Sequence, residues 1–451
     1  MKILVLNGSP KGENSVTLQT VRYLEKKFPA HSFEVLHVGQ RIKSIEKDFS
    51  KAEEALNNAE LLLFSYPVYT FLVPSQLHRF IELVKERGVD VSGRYAAQIT
   101  TSLHFYDVTA HRFIRDNCDD LGLLYLGGLS VDMEDLLKAE GRRQAEDFFR
   151  HLMWRVERGI AERPLYPVQK EQKPFVPMPV NGSVQPSKER SGRRIAIVAD
   201  LQSDALRDMV ERFTAVTAAD TVLVNLREFP FAGGCLGCFH CAADGTCVYR
   251  DGFDTFLRER IQSADAIVYA FSVRDHSMGS RMKLFDDRQF CNGHRTVTMG
   301  KPVGYLIDGA LDAEPNLRML IESRAEVGGN CLAGIATNER DPAAEIEALS
   351  ETLGYAIETH YQPPKNFYGV GGMKVFRDLI YQMRGLMKED HRFYKAHGFY
   401  DFPQKRKGRI IGMYLVGAMM RSKKIQKKIG GKMTEGMLLP YKKALEKAEK
   451  E

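Results

Sequence analysis

The sequence predicts an α/β fold built twice in tandem, each copy a five-stranded parallel sheet flanked by helices, with a basic, mostly helical C-terminal extension. Three observations predict it. Short apolar runs alternate with amphipathic segments over residues 1–161 and again over 194–361, as expected for parallel strands joined by crossover helices. Between the two stretches lies 162–193, which holds six of the chain's 18 prolines. Beyond residue 361 the alternation stops and basic charge accumulates.

In the first domain, 1–161, the strand-like runs are Ile3–Asn7, Phe33–His37, Leu61–Tyr66, Tyr95–Thr100 and Leu123–Val131. The amphipathic segments between them, Ser15–Lys27, Pro74–Arg87 and Asp107–Leu121, predict helices, and a charged segment around Trp154 predicts a closing one. Residues 162–193 cannot sustain a helix or an inner strand and read as an extended linker. In the second domain, 194–361, strands are expected at Arg194–Ala199, Thr221–Asn225, Ala266–Phe271, Pro302–Ile307 and Cys331–Ala336. Helices are expected at Asp204–Val216, Phe253–Ser263, Gly279–Phe290, Leu317–Glu326 and Ala343–His360. The matching order is a duplication of architecture rather than of residue identity.

Composition excludes several classes. Of 451 residues 44% are hydrophobic and 27% charged, which excludes a wholly disordered chain. Seven cysteines are too few for a disulfide scaffold, and four of them fall within 13 positions, which suits metal or redox chemistry in a reducing compartment. No apolar run approaches the ~18–20 residues of a membrane span, and the N-terminal run is too short for a secretory signal. These features predict a cytoplasmic protein. The net charge of +6 hides an asymmetry: residues 362–451 hold 21 Lys and Arg against 8 Asp and Glu, a balance of +13, while the rest is slightly acidic.

The segment after the first strand, Asn7-Gly8-Ser9-Pro10-Lys11-Gly12-Glu13-Asn14-Ser15-Val16-Thr17, leads into a helix. Its hydroxyls (Ser9, Ser15, Thr17), its cation (Lys11) and the N–H groups of the helix start suit a phosphate monoester. The pattern is neither a Walker A loop nor G-x-G-x-x-G. Capping of the helix by a serine is the plainer use of such a loop.

These residues resemble the FMN phosphate loop of the flavodoxin-like, NAD(P)H-dependent FMN reductase superfamily. Ser65-Tyr66-Pro67-Val68-Tyr69-Thr70-Phe71-Leu72-Val73-Pro74 resembles that family's second loop, and Thr100-Thr101-Ser102-Leu103-His104-Phe105 falls where the family closes over the flavin. The resemblance implies cofactor contacts from Ser9, Lys11, Ser15, Thr17, Pro67, Val68, Tyr69, Thr70, Thr101 and Ser102. Ordinary loop packing is an equal reading for Tyr69 and Phe105. His104 is a weak candidate for donating a hydrogen bond to reduced flavin.

The second domain carries Cys235, Cys238, Cys241 and Cys247 at C-x2-C-x2-C-x5-C spacing, with glycines interleaved. Thiolates so close in sequence can hold a 4Fe-4S cluster or a zinc ion, or remain free. The motif resembles that of iron-sulfur flavoproteins, which implies a 4Fe-4S cluster. Cys118, Cys291 and Cys331 have no partner spacing and read as buried small residues. The second domain lacks the phosphate loop, having Ala199-Asp200-Leu201-Gln202-Ser203-Asp204 in its place, and the first lacks cysteines between residues 38 and 58. The two losses are complementary, and the expectation is one FMN in the first domain facing one cluster in the second.

The tail is dense in aromatics at 366–378 and 391–402, and Ile410–Met420 is an apolar run flanked by cations. It reads first as a helical extension packed on the two domains and second as a basic element at an anionic membrane surface. No nucleic-acid module is evident. The function these features predict is an oxidoreductase passing electrons from NADH or NADPH through FMN and a 4Fe-4S cluster to an acceptor. Alternatives are an electron carrier fed by ferredoxin-like partners and a non-catalytic zinc-binding scaffold.

Overall fold

The computed structural model describes residues 1–165, 175–182, 191–423, 438, 441–442 and 445–448. Residues 166–174 and 183–190 of the expected linker, and most of the tail beyond 423, lie outside the described residues. The chain divides into two compact units, Met1–Phe393 and Tyr394–Glu451.

The first unit holds two α/β lobes. The first runs β1 (Lys2–Asn7), α1 (Val16–Lys27), β2 (Ser32–Leu36), α2 (Val38–Lys47), α3 (Ser50–Asn58), β3 (Leu61–Pro67), α4 (Ser75–Glu86), β4 (Tyr95–Thr101), α5 (Asp107–Asp120), β5 (Leu124–Val131) and α6 (Ala139–Arg158). Its five strands are parallel in the order β2-β1-β3-β4-β5. The second lobe runs β6 (Arg194–Ala199), α7 (Asp204–Val216), β7 (Asp220–Asn225), α8 (His240–Asp244), α9 (Phe253–Phe256), β8 (Ala266–Ser272), α10 (Gly279–Arg288), β9 (Pro302–Asp308), α11 (Pro315–Gly328), β10 (Cys331–Thr337) and α12 (Pro342–Thr359). Its order, β7-β6-β8-β9-β10, repeats the first. Both are doubly wound sheets whose ligand crevice lies at the carboxyl ends of the strands.

Central strands are buried on both faces. In β1, Leu4 and Leu6 belong to one apolar cluster, while Ile3 and Val5 join α1 and α6 residues in another. The sequence pattern misses α2 and α3, which are mostly polar. Their apolar residues, Val38, Ile42, Ile45, Ala52 and Leu56, line only one side. The expected helix Phe253–Ser263 is α9 followed by a π-helical stretch, Leu257–Gln262. The described part of the linker is docked rather than free: Met178 N–H donates to the Asn338 carbonyl (2.8 Å), and Val180 packs on the second core.

The lobes join through α4 and α10, which occupy equivalent positions after the third strand of each. Each helix supplies a carboxylate to the N-terminus of the other. Asp287 Oδ2 accepts the Ser75 N–H at 2.8 Å, and Glu82 Oε1 accepts the Ser280 N–H at 2.7 Å. Ser75 and Glu82 are seven residues apart, as are Ser280 and Asp287. The exchange is therefore that of a two-fold dimer contact, made within one chain. The preceding loops match as well. Tyr69 and Leu72 exchange backbone hydrogen bonds, as do Arg274 and Ser277, with Thr70, Phe71, Asp275 and His276 all at positive φ. Under one loop lies Lys283, fully buried, donating to the Tyr69 carbonyl (2.9 Å), the Thr70 hydroxyl (2.6 Å) and Asp287. In the equivalent place His78, also buried, sits 4.0 Å from Glu82 and 3.7 Å from Asp275.

A helix from the extension completes the unit. α13 (Phe367–Gln382) packs Phe376 on Phe105 of the first lobe (4.3 Å between rings) and Gly372 against Val327 of the second. This part of the tail follows the packing reading. Two further helices follow, α14 (Lys388–Ala396) and α15 (Lys407–Met419).

Asp287→Ala would leave Lys283 buried and unpaired and strip a hydrogen bond from α4, so urea unfolding should show a loss on the order of 3–5 kcal/mol. His276, another bridge between lobes, bonds Glu314 (2.9 Å) and Asp120 (3.2 Å). Burial opposes its charge, but hydrogen bonds to Asp120 and Glu314 and their charges outweigh it and raise His276 to about 10. Its contribution is complete below the ordinary histidine value of about 6.5 and is lost as pH rises through about 10. The stability gap between wild type and His276→Asn should therefore shrink between pH 6.5 and 10; a gap independent of pH would contradict the charged histidine.

Candidate functional site

A cavity of about 480 Å³ opens at the carboxyl ends of β1, β3 and β4, and the second lobe supplies its opposite wall. Ser9, Lys11, Ser15 and Thr17 form one end of it, Pro67, Val68, Tyr69 and Thr70 a side, and Thr101 and Ser102 the edge of β4. Cys235, Cys238, Cys241 and Cys247 line the same cavity. The two sequence motifs, some 220 residues apart, thus face one space.

The first loop is shaped by its own backbone. The Asn7 side chain bonds both ways, Nδ2 donating to the Gly12 carbonyl (3.0 Å) and Oδ1 accepting the Ser9 N–H (3.2 Å). Ser15 caps α1 by accepting the Leu18 N–H. Gly39, at the start of α2, presses so closely on the loop that a Cβ there would lie 2.3 Å from the Gly8 carbonyl oxygen. The Thr101 hydroxyl is buried and has no hydrogen-bond partner among the described residues. A buried hydroxyl on a cavity wall calls for a polar ligand atom. Together with the hydroxyls of the phosphate loop, Lys11 and the N-terminus of α1, it fits FMN.

The cysteine loop is clamped at its base. Arg288, fully buried, bonds Asp251 through two parallel contacts of 2.8 Å and donates to the Gly233 carbonyl (2.8 Å). Burial acts against the Asp251 charge, yet Arg288 and the Ala232 N–H hold that carboxyl at about 2. From the first lobe, Lys43 donates to the Ala232 carbonyl and Gln76 to that of Cys235. Gly237, at φ +60, lies so near the Tyr69 hydroxyl that a Cβ would come within 2.1 Å of it. Tyr69 therefore stands between the first lobe's loop and the cysteines. Lys11 also crosses, its Nζ 5.6 Å from the Phe239 ring.

The donor set fits an iron-sulfur group. Burial, with smaller additions from neighbouring charges, pushes the Cys235 thiol up to about 12 and that of Cys241 to about 11. Backbone N–H groups aim at both sulfurs, Gly237 at Cys235 (3.5 Å) and Gly293 at Cys241.

Some residues escape sequence reasoning. Cys291, read as an isolated buried thiol, is buried but lines the cavity beside Cys247 and Cys241; burial first, then the charge of Cys247, raises it to about 12. Phe376 and Leu379 reach the wall from α13, and Met383 from just beyond its end. Only the aromatic density of that segment hinted at them. His294 on the wall has its Nδ1 3.0 Å from the buried Asp390 carboxylate. By contrast His104 is not part of the wall; its exposed ring contacts Asp107 and Ser130. Phe105 packs on Phe71 and Phe376.

In the second lobe the position equivalent to the phosphate loop is filled by its own side chains. Asp200 is buried against Arg227 (2.9 Å), and Ser203 caps α7 while donating to Asp308, which also holds Asn338 (2.7 Å). The buried Asp200 and the half-buried Asp308 carboxylates there would repel a phosphate.

Residues 1–102 match the family described as flavodoxin-like fold, and residues 184–323 match NADPH-dependent FMN reductase. Each match falls on one of the two lobes, and neither spans half of the chain. An iron-sulfur flavoprotein of Archaeoglobus fulgidus is 28% identical over 174 residues, spanning 37% of this chain and 79% of that protein. Among solved structures, an FMN-dependent NADH-azoreductase of Bacillus anthracis is similar at 11% identity over 34% of this chain and 98% of its own, with a TM-score of 0.27. An NAD(P)H:quinone oxidoreductase of Methanothermobacter marburgensis is similar at 13% identity over 36% and 99%, with a TM-score of 0.29.

The raised thiols carry a measurable consequence. At pH 8 the free Cys235 and Cys241 are protonated, so any metal or cluster that takes them as thiolates must release protons. Titrating the apoprotein with zinc in buffers of different ionisation enthalpy should show at least two protons released per metal, with affinity rising with pH. A value near zero would show that these two thiols are not ligands.

Proposed function

We propose that this chain is an FMN-dependent NAD(P)H oxidoreductase that holds one FMN in its first lobe and one 4Fe-4S cluster on Cys235, Cys238, Cys241 and Cys247 of its second. The observation that carries the reading is that the first lobe's phosphate loop and the second lobe's cysteines line a single cavity. When bound, FMN supplies two-electron exchange with a pyridine nucleotide and one-electron exchange with a cluster. The protein's residues bind and orient. Ser9, Ser15, Thr17, Lys11 and the start of α1 hold the phosphate. Pro67, Val68, Tyr69 and Thr70 flank the ring, with Thr101 and Ser102 at its edge. Tyr69, seated between that loop and Gly237, fixes the spacing between the two cofactor sites. Aromatic packing by Phe71, Phe105 and Phe376 excludes water from the inner wall.

Stoichiometry separates this reading from two flavodoxin-like sites acting alone, because the equivalent loop of the second lobe is filled by Asp200, Ser203 and Asp308. The physiological acceptor is a separate redox partner; a ferredoxin-like protein is one that a 4Fe-4S cluster can serve.

Anaerobically purified protein should contain one FMN and four irons per chain, and its flavin band should bleach with NADH or NADPH. Cys241→Ser should lose iron and keep FMN. Lys11→Ala should weaken FMN binding by roughly 10- to 100-fold, the equivalent of one charged hydrogen bond of about 1.5–3 kcal/mol, read by flavin fluorescence. Two FMN per chain, or no iron after reconstitution, would sink the proposal. Bleaching by a reduced ferredoxin but by neither nucleotide would make the chain a carrier instead.

A further inference from the structure

The helix α15 is unlike every other long helix of the chain. None of its residues, Lys407–Met419, is buried. From Ile410 onward its side chains are apolar on every face, and they are open: Ile411 is 60% exposed, Met413 61%, Tyr414 77% and Leu415 63%. A helix that is hydrophobic all round belongs in a protein core or in lipid, and here no core covers it. A polar surface helix of this length would have charges on its outer face; this one has none between Arg409 and Arg421.

The charge around it is equally one-sided. Residues 402–434 contain ten Lys and Arg and no Asp or Glu. The cations stand at both ends of the apolar stretch, at 405–407 and 409 before it and at 421, 423 and 424 after it. At 13 residues the helix is about 20 Å long, short of the ~30 Å hydrocarbon thickness of a bilayer. Among the described residues no helix is long and apolar enough to cross a membrane.

We propose that α15 and its flanking cations dock this chain on an anionic lipid surface, with the apolar helix seated in one leaflet and the lysines and arginines on the headgroups. The argument is charge and apolar complementarity together. Lipid is the surface that offers negative charge at the level of the cations and hydrocarbon just below it. A second copy of the helix would bury the apolar side chains but would bring the cations at its two ends, Lys405, Arg406, Lys407, Arg409, Arg421 and Lys423, against their like. Nucleic acid would answer the cations and leave Ile411, Tyr414 and Leu415 in water. The inference is independent of the cofactor assignment, since α15 is not part of the cavity wall.

The test is co-sedimentation of the full-length protein with vesicles of phosphatidylcholine alone and of phosphatidylcholine with phosphatidylglycerol. Binding should require the anionic lipid and fall steeply between 50 and 500 mM salt, as screening shortens on the order of the Debye length. Ile411→Glu with Leu415→Glu should weaken vesicle binding at least tenfold, and so should Lys405→Gln, Arg406→Gln and Lys407→Gln together. Both variants should keep wild-type FMN content and circular dichroism. Equal binding to neutral vesicles, or anionic binding unchanged in the Ile411/Leu415 variant, would overturn the proposal. So would an absence of vesicle binding coupled to a concentration-dependent dimer that the same substitutions abolish, which would assign the helix to a second copy.

Discussion

The buried exchange between α4 and α10 is the constraint on which the cavity depends. Helix N-termini leave N–H groups without intrahelical partners, and here each of two helices has one of them answered by a carboxylate from the other lobe. Asp287 holds Ser75, and Lys283 beneath it holds the Tyr69–Thr70 turn. These five residues thus set the second lobe's helix and the first lobe's Tyr69–Thr70 turn in one register. Arg288, the next residue along α10, clamps the cysteine loop through Asp251 and Gly233. One helix therefore positions both walls of the site.

The pseudo-two-fold explains why the two halves were free to diverge. A dimer of identical α/β subunits must carry every motif twice. A fused pair needs each motif once, provided that the interface keeps the two in place. The interface kept its form, with Ser75 and Ser280, Glu82 and Asp287, and the paired positive-φ turns in matching positions. The sites did not. The first lobe kept Ser9, Lys11 and Ser15 and has α2 and α3 where the second has its cysteines; the second has Asp200 and Asp308 where a phosphate would sit. His78 in place of Lys283 shows the same difference inside the interface itself, a buried side chain of different chemistry at an equivalent position.

Neutral thiols and crowded glycines describe how the site is held ready. Gly237 lets Tyr69 come against the cysteine loop, and Gly39 lets α2 support the phosphate loop; both are close backbone approaches that any side chain would block. Burial keeps Cys235 and Cys241 protonated. A cavity walled by Phe71, Phe105 and Phe376 gives the group bound there a dry, shaped environment.

Much of this was legible in the amino-acid order, because its signals are local. Short apolar runs marked the ten strands of the described residues, most plainly the central ones, since a strand buried on both faces has to be apolar along its length. The phosphate loop and the cysteine motif were legible because their ligands must converge within a few residues. α2 and α3 were not, since a helix that buries one narrow side looks like a polar loop. Lys283, Asp287, Arg288 and Cys291 were not legible as site-forming either, because their partners lie tens to hundreds of residues away. The tail split along the same line: its aromatics and cations were plain, but packing alone decided that Phe376 enters the cavity wall while Ile411 and Leu415 stay open. The sequence by itself determined two sheets, one phosphate loop and one set of four thiols. Only the tertiary structure decided that the loop and the thiols share a single cavity, because that depends on buried contacts between lobes that no local pattern encodes.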